Sequence, residues 1–107
     1  MKQLKKAENL IKVVEMTNKE VGLSLSPSSI PNYDELIKEL AKAVQYLIDK
    51  DFEKLMHILY RIDVSETKVK IAFGLEQDVA QQIALLIIER EEQKVITRAK
   101  YRNKREM

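Results

Sequence analysis

The chain has no cysteine or tryptophan, one histidine, and only two glycines and two prolines. Without cysteine there are no disulfides, no thiolate metal sites and no cysteine nucleophile, and nothing points to secretion. Gly22 and Gly74 are too far apart for a glycine-rich phosphate loop, and no Gly-x-Ser-x-Gly elbow is present. Scarce turn residues argue against an all-β fold. A charged fraction of 34% beside a hydrophobic fraction of 45% suits helices with polar outer faces rather than disorder. The longest apolar run, Ile83 to Ile88, falls far short of the ~20 residues that cross a bilayer. Met1 to Lys6 lacks the apolar stretch of a signal peptide, so the expectation is a soluble, cytoplasmic protein with no membrane contact.

What is present is helical periodicity. The 107 residues amount to one domain with one modest core. Leu4, Ala7, Ile11 and Val14 share a face of a first helix, about Lys2 to Asn18, that Gly22 ends. The stretch from Leu23 to Pro31 holds both prolines and reads as a loop laid over the core. A second helix follows, with Tyr33, Leu36, Ile37, Leu40, Ala41, Val44, Leu47 and Ile48 on one face and Asn32 and Glu35 forming a capping box. A turn around Asp49 to Asp51 leads into a third helix striped by Phe52, Leu55, Met56, Leu59 and Ile62, an αα-hairpin with the second. Asp63 to Glu66 is a second candidate capping box, opening a helix from about Val64 to Phe73 that Gly74 ends. Asp78 with Gln81 is a third, opening a last helix from Val79 onward.

That last helix is apolar on nearly all sides from Val79 to Ile88, as a helix at the centre of a bundle or in a subunit interface is. Beyond it, the six basic residues from Lys94 to Met107 against Glu106 leave a tail of +5, and the rest of the chain at −3, for a total of +2. The expected architecture is all-α, an irregular bundle of four to five helices with a long C-terminal helix. Residues 1–93 form one domain, and 94–107 are a basic extension of the last helix.

Little here carries chemistry. His57 lies off the apolar stripe beside Glu53, where a solvated histidine is the simpler expectation than a proton shuttle. Glu89 and Glu92 have di-iron spacing, but no histidine follows a glutamate as such sites require, so they read as a charged turn on an exposed helix. The serines from Ser24 to Ser29 have no local base. No metal or other cofactor is expected, and no catalytic activity. Arg61, Asp63, Glu66, Glu89 and Arg90 border apolar segments and are expected to form a structural ion-pair cluster; the sharper alternative is a small anion held by Arg61 and Arg90. Lys94, Arg98, Arg102 and Arg105 fall on one helical stripe with Tyr101 beside it, a possible contact for nucleic acid. Basic residues near a helix C-terminus also complement the helix dipole.

The stretches Leu59 to Glu66 and Leu86 to Glu91 resemble ones in small, uncharacterised bacterial helical proteins. The resemblance spans the second half of the chain and implies no activity, only that the two stretches belong together in the fold. The function expected from the sequence is a non-enzymatic interaction or assembly protein acting through helix–helix contacts, with a protein partner that is another copy of the chain, as in a homodimer. The alternative is a nucleic-acid-associated accessory protein using the basic tail, and third comes a small enzyme without a recognisable motif.

Overall fold

The computed structural model describes residues 7–106, with side chains from Asn9 to Tyr101. Five α-helices follow in order: α1 (Ala7–Thr17), α2 (Tyr33–Lys50), α3 (Phe52–Ile62), α4 (Glu66–Phe73) and α5 (Val79–Glu106). The all-α architecture with a long last helix is the one expected. No strand occurs among the described residues.

The start of the first helix, Lys2 to Lys6, lies outside the described residues. From Ala7 its buried stripe is Leu10, Val13, Val14 and Thr17, whereas Ile11, expected on that face, is exposed. The helix does not run regularly to Asn18. Its last turn widens into a π turn over Asn18–Gly22, closed by Leu23 N–H on the Asn18 carbonyl at 3.0 Å. Gly22 ends that turn at φ 87°, the left-handed conformation glycine adopts without a Cβ penalty. Asn18 then pins the following loop: its Nδ2 donates to the Leu25 carbonyl and its Oδ1 accepts from Leu25 N–H. A 3-10 turn over Pro27–Ser29 brings Ile30 into the core, as a segment laid over the body requires.

Asn32 caps α2, its side chain accepting from Glu35 N–H, and Asp51 does the same for α3 through Lys54 N–H. The other two proposed capping boxes form differently. Asp63 takes a left-handed conformation (φ 69°) as the C-terminal cap of α3, its N–H donating to the Leu59 and Tyr60 carbonyls. Ser65 caps α4 instead, accepting from Lys68 N–H, so that helix starts at Glu66 rather than Val64. Asp78 also has a positive φ, 58°, and accepts Gln82 N–H on its backbone carbonyl, with no side-chain bond to Gln81 N–H among the described residues.

The core is one cluster drawn from every helix, and α5 touches all four others. Ala80, Ile83, Ala84, Ile87 and Ile88 of its apolar run are buried, with Val79 and Leu86 packed against their edge. The run is therefore largely wrapped within the chain, with Leu85 half-buried and Gln81 exposed. At 1.5 Å per residue, the 28 residues of α5 extend ~42 Å, close to the molecule's longest dimension of 47 Å. Side-chain burial continues past residue 93, because Val95 belongs to the core and Lys94 is largely enclosed.

Candidate functional site

Two carboxyl groups lie inside this apolar body. Glu91 is 0% exposed and Glu92 1%, so the expectation of an exposed charged turn at Glu89 to Glu92 fails for Glu92. The cause is register. After Ile87 and Ile88, the next residues on the inward face of α5 are Glu91 and Glu92, and Val95 follows four residues after Glu91. That spacing is the sequence signal that marks them as interior, once α5 is known to be central.

Glu92 is met by α1 and α2. Asn9 Nδ2 donates to its Oε2 at 3.1 Å, and the Tyr33 hydroxyl donates to the same oxygen at 2.9 Å. Burial, the bond to Glu92 and the negative charge of that group push the Tyr33 phenol well above its ordinary range. Tyr33 therefore acts as a fixed hydrogen-bond donor, anchoring α2 to α5.

Glu91 faces the π turn. Lys94 Nζ lies 3.2 Å from Glu20 Oε1 and 3.9 Å from Glu91 Oε1, so the three groups converge. The π turn also exposes the Glu20 carbonyl oxygen to Arg61 Nη2, which donates to it at 2.7 Å. Glu20 thus links the π turn to α5 through its side chain and to α3 through its backbone. Thr17 Oγ1 is buried nearby in sequence without a hydrogen-bond partner.

The expected ion-pair cluster is only partly assembled. Arg90 Nη2 donates to Asp63 Oδ2 at 3.4 Å, and Arg61 is committed to the Glu20 carbonyl. Glu66 and Glu89 join no ion pair among the described residues, although Glu89 lines the same groove as Asp63 and Arg90. That groove, of about 530 Å³, places Asp63, Val64 and Ser65 against Leu86, Glu89 and Arg90, so the two stretches singled out by resemblance are neighbours. Arg61 does not line it, and the structure does not bring Arg61 and Arg90 together around an anion.

The basic stripe is interrupted at its first member, since Lys94 is spent on Glu20. Arg98 lines a groove of about 280 Å³ with Lys12, Lys19 and Glu15, and Tyr101 is exposed. The side chains of Arg102 and Arg105 lie outside the described residues. His57 is exposed on α3. No group of three or more His, Asp or Glu that could hold a metal ion occurs among the described residues, and no described helix is long and apolar enough to cross a membrane.

The outer surface shows one further feature. The buried face of α3 is Leu55, Ile58, Leu59 and Ile62. Phe52 and Met56, expected on that face, lie on the next strip round the helix with Tyr60, exposed by 46%, 37% and 84% respectively. Ile58 takes the inward place that the expected stripe left out. The Phe73 ring of α4 packs edge-on against Phe52, with centroids 5.3 Å apart. Compared with protein families, with curated proteins and with solved structures, the chain matches none.

Proposed function

We propose that the chain is a non-enzymatic assembly protein that pairs with a second copy of itself through the outer strip of α3. The observation that carries this reading is the alignment of Phe52, Met56 and Tyr60, three large apolar side chains at i, i+4 and i+8, beside the Phe52–Phe73 ring pair. Single exposed apolar residues are ordinary on a protein surface; a continuous row rimmed by charge is characteristic of contact sites. A two-fold pairing of antiparallel α3 helices centred on Met56 sets Phe52 against Tyr60 of the second copy, with the helix dipoles opposed.

The reading is non-enzymatic because the polar groups drawn together in the interior are closed off: Glu91 and Glu92 are wrapped by protein, leaving a substrate no access. A nucleic-acid role for the tail is weakened by the capture of Lys94, which leaves Arg98 as the first free cation of the stripe among the described side chains.

Sedimentation equilibrium at micromolar concentration tests the proposal. The natural chain is expected to be a dimer, and the double variant Met56→Glu, Tyr60→Lys a folded monomer. Both positions face solvent, so the fold survives the change. A monomeric natural chain, or a variant that still dimerises, contradicts it.

A further inference from the structure

We propose that Glu91 is a neutral carboxylic acid in the folded chain and donates its proton to the Glu20 carboxylate, so that a pH-labile clasp holds the π turn against α5. The geometry leaves Glu91 no other satisfactory state. Its side chain is wholly buried, and neither carboxyl oxygen accepts a hydrogen bond from any protein donor. A buried charge without donors is among the most costly arrangements a fold can hold. Lys94 does not cure this, since its Nζ sits on Glu20 Oε1 and is 3.9 Å from Glu91, beyond hydrogen-bond reach. Arg90 turns away to Asp63 and Gln93. Two facing carboxyl groups bond only when one carries a proton, and Glu20, which already has Lys94, is the one that stays ionised.

The charges acting on Glu91 are those of Glu20 on the π turn and of Lys94 and Arg90 on its own helix. Burial first, then the bond to Glu20 and the negative charge there, push Glu91 up to about 8, against the opposing pull of Lys94 and Arg90. Glu20 moves the other way. Burial raises it, but the bonds from Glu91 and Lys94 and the positive charges of Lys94 and Arg98 prevail and hold it below the ordinary carboxylate range. The pair therefore shares one proton across a wide span of pH.

The consequence for stability follows from which state binds more protons. The folded chain keeps the Glu91 proton up to about 8, whereas the unfolded chain releases it near 4.5. Between those values the folded state holds the extra proton, so stability falls as pH rises. Loss of that proton sets two carboxylates against one lysine. The π turn, held to α5 by this contact and to α3 by Arg61, is the segment that loosens.

Carboxyl-carbon NMR titration of the full chain, with urea unfolding at several pH values, tests the clasp. One glutamate resonance is expected to titrate near 8, and the folding equilibrium constant to drop by up to tenfold per pH unit between about 5 and 8. Glu91→Gln keeps a donor toward Glu20 and removes the titrating proton, so it should abolish both the resonance and the slope. Glu20→Gln should move the Glu91 midpoint downward. The proposal is overturned if no glutamate of the natural chain titrates above about 6.5, if Glu91→Gln keeps the slope, or if Glu20→Gln leaves the midpoint unmoved.

Discussion

Tyr33 and Glu92 are 59 residues apart in sequence and 2.9 Å apart in space. Contacts of this kind explain why the interior carboxyls were not legible from the sequence. In the run Glu89-Arg90-Glu91-Glu92-Gln93-Lys94, residue type alone does not separate the two buried glutamates from their neighbours, and the register that turns them inward tells only once α5 is known to be central. What admits them is supplied from elsewhere, by Asn9 on α1, Tyr33 on α2 and Glu20 on the π turn. Each such partner satisfies a group that would otherwise be stranded, and removing one exposes the cost. Tyr33→Phe keeps the ring in the core but leaves Glu92 Oε2 with Asn9 alone. It should lower stability by about 1–3 kcal/mol, read as a lower urea midpoint with an unchanged slope. An unchanged midpoint would mean that the hydroxyl contributes nothing to the anchoring of α2.

At the scale of elements, the sequence was informative where the signal is local and misleading where two local signals compete. The α2 stripe and its Asn32 cap needed only neighbours three and four residues away, and both form, although among the described residues the Glu35 side chain makes no return bond to Asn32 N–H. Around Asp63, by contrast, two residues of cap-forming type lie two apart, and one helix must end before the next begins. Asp63 takes the left-handed ending of α3 and Ser65 the start of α4. The widened turn after Thr17 had no such signature, because its geometry is tied to distant groups: Arg61 on the Glu20 carbonyl, and Lys94 on the Glu20 side chain. The division of labour at the α3–α4 junction has a measurable consequence. Ser65→Ala loses a cap and should cost about 0.5–2 kcal/mol. Asp63→Gly suits the left-handed position and gives up only an exposed pair with Arg90, so its effect should stay within about 1 kcal/mol. Urea midpoints of the two variants decide the matter, and the reverse order would reassign the cap to Asp63.

At the scale of the whole molecule, α5 organises everything else. Its apolar run from Val79 was recognisable as interior because apolar residues occupy nearly every side of it, Gln81 and Gln82 apart. Its continuation through Glu91, Glu92 and Val95 was not, because burial there depends on paired polar groups rather than on hydrophobicity. The same central placement bears on what covers the run, since α1, α2, α3 and α4 all contact α5. The self-association proposed above therefore uses the outer strip of α3 and not this run. Native-state hydrogen exchange tests the central position of α5 most directly. The amides from Ile83 to Val95 should be the slowest in the chain and exchange only with global unfolding, so that their opening free energy equals the unfolding free energy measured in urea. If those amides open at distinctly lower free energy than the amides of α2, then α5 is not the spine of this fold.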